Sequence, residues 1–197
     1  FKFDDYNNHL LFRNTLFENM NSIHLMYLPR INYYPKGYFT TNEDIFVLAA
    51  GGIATGRQMA ACMAMGAAGV WCGSVWLTTP EAETTPTVRK KMLEAGPRHT
   101  VRSRSRTGKP TRQLQSAWTD AWSSVDALEP LEMPLQGVLS RPAMDKIDKI
   151  AETGHEGATA LATYYVGQAV GLMNEEKSVK SIVYEFKEDY AEAVERL

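Results

Sequence analysis

Cysteine is nearly absent. Cys62 and Cys72 are the only two in 197 residues, and neither their spacing nor their apolar surroundings match a metal-binding or redox motif. A disulfide framework is excluded, and two reduced, packed thiols in an intracellular setting are expected. An excess of charge is lacking too: 21 Lys and Arg stand against 23 Asp and Glu, a net charge of -2. Nothing therefore draws the chain toward nucleic acid or an anionic membrane surface. No apolar run reaches the ~18 residues that a membrane-spanning helix needs, and the amino terminus is too polar for a secretory signal. A soluble, cytoplasmic protein without a membrane partner is expected. The familiar nucleotide loops are missing as well. There is no G-x-G-x-x-G, and "GKPT" at 108–111 puts proline where a Walker loop needs Ser or Thr. No grouping of His, Cys, Asp and Glu has metal-ligand spacing, so no metal is expected.

Alanine is missing from residues 1–48, and Gly37 is their only glycine, whereas both abound from Ala49 onward. The leading segment instead carries Asn7, Asn8, Asn14, Asn19, Asn21, Asn32 and Asn42 among Tyr, Phe and Leu. Its residues follow neither a helical nor an alternating period. Residues 1–45 are read as an unassigned segment: a small appended domain, a disordered arm, or a stretch of separate ancestry. The abruptness of the break favours the last. His9 and His24 have no acidic or cysteine companions at ligand spacing and carry no chemistry.

From residue 46 the chain becomes legible. "IFVLAA" is a short, apolar run ending in Gly51-Gly52, as suits a strand buried on both faces of a parallel sheet. Thr55 with Gln58 three residues later forms a capping box and predicts a helix through "GRQMAACMAMGA". "GVWCGSVWL" supplies a second strand, giving a βαβ unit with parallel strands. Pro86 opens a further helix that closes at Gly96. Residues 97–140 read as a long excursion with a basic, solvated loop carrying Arg102, Arg104, Arg106, Lys109 and Arg112. "RPAMDKIDKIAETG" predicts a helix stopped by Gly154. The tail predicts another, with Val179, Ile182, Val183, Phe186, Tyr190 and Val194 on one stripe.

The glycines that end the two strands have a chemical use. A phosphate monoester needs several converging donors and close backbone, which a side chain would block. Gly51-Gly52 after one strand, and Gly73-Ser74 after its parallel neighbour, present amides from one sheet edge, with the positive end of the helix at Thr55 aimed at the same region. Each glycine alone also fits an ordinary tight turn. Together they match the phosphate cradle after the last two strands of many (β/α)8 barrels.

Three stretches, "VLAAGGIATGRQMAACMAMGAAGVWCGSVWL", "HTVRSRSRTGKPTRQLQSAW" and "YYVGQAVGLMN", resemble the nitronate monooxygenases, formerly 2-nitropropane dioxygenases. These are FMN-dependent (β/α)8 enzymes that oxidise alkyl nitronates with O2 to carbonyl compounds and nitrite. The resemblance covers residues 46–197 and implies an α/β fold made of the last two strands of a TIM barrel plus a helical tail. It implies FMN as cofactor, with Gly51 and Gly52 on the phosphate and Trp71, Gly73 and Ser74 near it. Gln168 matches a glutamine near the family's active-site helix and is placed toward flavin or substrate; a polar residue bordering the core is its other reading. Relatives have Thr, Arg and Phe where this chain has Ser74, Val75 and Trp76. The phosphate is thus left to amides and the helix dipole, with Arg112 of the basic loop as a further candidate whose preferred reading is a solvated side chain.

Much of such a barrel is not recognisable. It takes about 250 residues, and only two of its strands are evident. The family's histidine base, which precedes the phosphate strand, has no counterpart: "TGHEG" at 153–157 follows the phosphate strands, which makes His155 a loop residue, and His99 has no visible partner. The catalytic base is therefore unknown. The chain is expected to be the C-terminal portion of a larger enzyme, unable by itself to cover both faces of a parallel pair, and open to self-association. Two alternatives stay open: a flavin-dependent enoyl reductase, with which the glycine-rich stretch is shared, and a non-catalytic remnant.

Overall fold

The computed structural model of the chain describes residues 24–29 and 45–196. It is an α/β protein of two compact units, one comprising residues up to Gly73 together with Val179–Leu197, the other Ser74–Ser178.

In the first unit, β2 (Ile45–Ala50) leads through a glycine turn into α1 (Gly56–Ala64) and on to β3 (Gly69–Trp71). The two strands pair in parallel, with Leu48 beside Gly69, Ala49 beside Val70 and Ala50 beside Trp71. The βαβ unit is thus formed as the sequence suggested. Its helix begins at the capping box, where the Thr55 hydroxyl accepts from the Gln58 amide at 3.2 Å. Two features differ. β3 stops after three residues, because the backbone turns at once into a 3-10 helix at Ser74–Trp76. On the other side of β2 lies β1 (His24–Pro29), antiparallel, with His24 beside Ala50 and Pro29 beside Ile45. No periodicity announced it, since ladder bonds to an edge use backbone groups that every non-proline residue carries. Apart from β1 and Ile45, the segment 1–45, His9 included, lies outside the described residues. The carboxy-terminal helix α6 (Val179–Glu195) packs along α1. Val47, Ala49, Ile53, Cys62 and Ala67 form the core, with Val70, Cys72 and Phe186 against it. The expected α6 stripe is only partly covered: Ile182 is buried, whereas Val183 and Val194 are 44% and 46% exposed.

The second unit corrects the solvated loop. Between α2 (Pro86–Leu93) and α3 (Ala117–Ala121) lies an antiparallel hairpin of β4 (Thr100–Ser103) and β5 (Thr111–Leu114). Its inward positions include Ser103 and Gln113, both buried, so no apolar alternation betrayed it. Residues 163–166 add a partial third strand, with the Leu114 amide donating to the Tyr164 carbonyl at 3.0 Å and a bridge between Gln113 and Tyr165. α4 (Leu135–Ala151) starts two turns before the expected point and runs through Pro142. The face carrying Val138 and Pro142 is exposed, so water can serve the carbonyl that proline leaves without a donor. Gly154, at φ +84°, follows the helix end as read, and His155 caps α5 (Glu156–Leu161) through an Nδ1 that accepts from the Ala158 amide at 3.2 Å. The core joins Val88, Met92, Leu114, Ala151, Ala162, Val166 and Val170. Among the described residues no helix is long and apolar enough to cross a membrane.

Candidate functional site

Because Ala50 and Trp71 are register partners in a parallel pair, the chain leaves β2 and β3 at the same sheet edge. Gly51-Gly52 follow one strand and Cys72-Gly73 the other. Gly51 and Gly52 have φ of +100° and +74°, a conformation that side chains strain to adopt. Crowding is not the reason for glycine: a Cβ built on Gly52 or on Gly73 meets no heavy atom within 4 Å. Both turns border open space, which is what a ligand approaching the backbone requires. Trp71 ends β3 and is 48% exposed.

The turn is pinned from behind. The Gln58 carboxamide donates through Nε2 to the Gly52 carbonyl at 3.2 Å and accepts through Oε1 from the Ala54 amide at 2.7 Å and the Thr55 amide at 3.1 Å. The Arg57 amide donates to Asp189 Oδ2 at 2.7 Å, and the Arg57 guanidinium donates to Oδ1 of the same carboxylate at 3.0 Å. The amides of Ala54, Thr55, Arg57 and Gln58 are thus served within the chain. The positive end of α1, expected to aim at a phosphate, therefore has these four amides already engaged. Gln58 was visible as half of a capping box, but its hold on Gly52 was not. Asp189 lies 132 positions from Arg57, a distance over which no local pattern can reach.

Ser74 and Gln168 belong to the second unit. The Ser74 Oγ accepts from the Gly167 amide at 2.9 Å, which ties the 3-10 turn at Ser74–Trp76 to the 3-10 helix at Gln168–Leu172 and brings these two residues into one neighbourhood. A lone pair of the hydroxyl is spent there, and its proton is still available to donate. Gln168 is half-buried. The basic stretch is largely anchored. Arg104 donates to the Gly108 carbonyl at 2.8 Å and reaches Glu129 and Glu132 at 3.0 and 2.9 Å. Arg106 donates to the Thr163 carbonyl at 3.2 Å and lies 4.6 Å from the Tyr165 ring centroid. Arg112 donates to Thr100 Oγ1 at 3.0 Å. Arg102 and Lys109 alone of the five are exposed. His99 is engaged as well, its Nδ1 accepting from the Gly96 amide at 3.1 Å. Burial pushes both thiols up, Cys72 further through its neighbour Cys62, as befits packed, inert cysteines. Among the described residues no three metal-ligating side chains converge.

A family model described as nitronate monooxygenase matches residues 39–189. The chain belongs to the nitronate monooxygenase family. It is 54% identical over 153 residues to Rv1533 of Mycobacterium tuberculosis, which carries a provisional monooxygenase name, in a match covering 77% of this chain and 40% of that relative. To a nitronate monooxygenase of Neurospora crassa it is 27% identical over 158 residues, covering 79% of this chain and 40% of the relative. The solved structure of a nitroalkane oxidase from Streptomyces ansochromogenes superimposes with a TM-score of 0.62 at 26% identity, over 76% of this chain and 40% of that one. The chain thus spans about two fifths of the length of these two relatives.

Proposed function

We propose that this chain carries the phosphate-binding part of an FMN-dependent nitronate monooxygenase, in which β2 and β3 are the last two strands of a (β/α)8 barrel. The reading rests on one observation: in a chain of this family, two glycine turns leave adjacent parallel strands at the same edge and border open space. The residues fit the cofactor. Backbone amides of Gly51, Gly52 and Gly73 would bind its phosphate, where no Cβ stands between donor and anion. Trp71, exposed at the end of β3, would flank it. For Ser74 and Gln168 the assignment rests on the resemblance alone. Bound FMN supplies the redox chemistry by which an alkyl nitronate and O2 become a carbonyl compound and nitrite. Gln58 fixes the Gly52 peptide and so orients the turn. No proton transfer is assigned to His99 or His155, whose Nδ1 atoms cap backbone amides.

The test is nitrite release and O2 uptake by the full-length polypeptide supplied with FMN and propyl-2-nitronate. Nitronate-dependent uptake matched by nitrite supports the reading. A yellow protein that instead reduces an enoyl thioester with NADH replaces it with the reductase. Absence of a flavin spectrum after FMN addition replaces both with the non-catalytic remnant. Gly52→Asp, which puts a carboxylate where the phosphate is seated, should weaken FMN binding at least about tenfold; unchanged affinity would remove Gly52 from the site.

A further inference from the structure

The carboxy-terminal helix is joined to the glycine turn by a series of polar contacts that passes through α1. We infer that Asp189 is a positioning residue for the phosphate turn, acting through Arg57 and Gln58 on the Gly52 peptide; this rests on the phosphate cradle proposed above.

The first contact fixes α6 to the first turn of α1. One oxygen of Asp189 takes the Arg57 amide at 2.7 Å and the other takes its guanidinium at 3.0 Å. The carboxylate thus serves as an internal anion at the positive end of the helix. The second lies next in sequence: Gln58, whose amide is held by Thr55 Oγ1 at 3.2 Å, sends its side chain back past the helix start. Its Oε1 gathers the Ala54 and Thr55 amides, and its Nε2 holds the Gly52 carbonyl at 3.2 Å. With the Gly52 carbonyl turned toward α1, the orientation of the peptide that follows Gly52 is set as well. α6 lies so close to α1 that no side chain fits between them at Gly56. A Cβ on Gly56 would lie 2.0 Å from the Phe186 carbonyl oxygen and 2.5 Å from the Tyr190 amide nitrogen, so the two backbones are in direct contact one residue before Arg57. Asp189 falls between those two contact residues of α6. The position of the turn is therefore specified by a residue near the end of the chain, although Asp189 itself touches neither glycine.

The arrangement makes a distinction that a merely structural contact does not. FMN and riboflavin share the ring system and differ in the phosphate, so disturbing the turn should weaken the first and spare the second. Dissociation constants for both flavins would be measured by fluorescence quenching on the wild-type protein, Gln58→Leu, Asp189→Ala, Asp189→Asn and the Gln58→Leu/Asp189→Ala double variant, with thermal melts alongside. Each of Gln58→Leu and Asp189→Ala should weaken FMN about fivefold, the effect of losing one helix cap, with riboflavin changed less than about twofold. Because the two residues act in series, the double variant should bind FMN no worse than Gln58→Leu alone. Asp189→Asn keeps an acceptor for the Arg57 amide, tests the same point if the alanine variant does not fold, and should recover part of the loss. Equal losses for the two flavins, additive losses in the double variant, or no loss would each overturn the inference while leaving the cradle standing. A wild-type protein that does not prefer FMN to riboflavin would overturn the cradle and the inference together.

Discussion

Each of the two units is held together internally by its own means. In the first, backbone meets backbone: Gly56 admits α6 to within touching distance of α1, glycines turn the chain at the sheet edge, and the core is built of small apolar residues. In the second, polar side chains reach across long stretches of sequence to serve main-chain groups. Gln136, fully buried, donates to the Ser105 carbonyl at 2.7 Å and accepts from the Leu131 amide at 3.0 Å. Ser140 donates to the Arg106 carbonyl at 2.7 Å, and Lys91 donates to the carbonyls of Thr159 and Ala162 at 2.9 and 2.6 Å. The contrast teaches that glycine lets backbones meet directly, with only Gln58 and Asp189 pinning the main chain beside the turn, whereas a hairpin of Ser, Arg and Gln needs many side-chain partners from elsewhere to be buried.

The largest expected effect tests the backbone contact. Gly56→Ala drives a methyl group into the Phe186 carbonyl and should cost about 3 kcal/mol, with faster hydrogen exchange in α1 and α6; an unchanged denaturation midpoint would show that those backbones are not in obligatory contact. Next comes the polar counterpart. Gln136→Leu leaves the Ser105 carbonyl and the Leu131 amide without their partner and should cost about 2 kcal/mol, read by urea denaturation. A neutral result would mean that apolar packing, not side-chain hydrogen bonding, holds the hairpin. Arg104→Ala should cost less, about 1 kcal/mol, and less still in high salt, because its partners Glu129 and Glu132 are 85% and 83% exposed. A large, salt-insensitive loss would shift the weight to its bond with the Gly108 carbonyl.

The smallest effect is a pH dependence in the second unit. Burial pushes the Asp148 carboxyl above its usual range; Arg106 pulls it back, and Asp145 and Glu152 add to the rise. A carboxyl that holds its proton more tightly in the fold contributes stability at pH below its unfolded value, taken as 3.8. That contribution is lost as pH rises through the higher folded value. Asp148→Asn removes the titration, so the variant should gain stability relative to wild type between acid and neutral pH, as read from melting temperatures across that range. A gap that narrows as pH rises would reverse the assigned sign.

Where local signals were strong, the fold was legible. The capping box at Thr55 and Gln58, proline at the start of α2 and Gly154 after α4 each act within a few residues, and each falls where the structure has it. The glycine turns were legible because Gly-Gly after a buried strand can take the positive φ angles a sharp turn needs, which other residues rarely adopt. β1, the hairpin and the early start of α4 were not: the first pairs through backbone atoms, the second buries polar residues, and the third passes through a proline that usually marks a helix start. At the candidate site the glycines could be read directly, whereas the anchoring of Arg104, Arg106 and Arg112 could not, since their partners lie on other elements.

The sequence by itself determined the parallel βαβ unit and the glycine turns at its edge, because these follow from an apolar run, capping and backbone freedom within about thirty consecutive residues; the family likeness rested on resemblance across three separate stretches. Only the tertiary structure decided what serves the amino end of α1. That depends on Asp189, 132 positions from Arg57, arriving within hydrogen-bond distance once α6 has packed against Gly56.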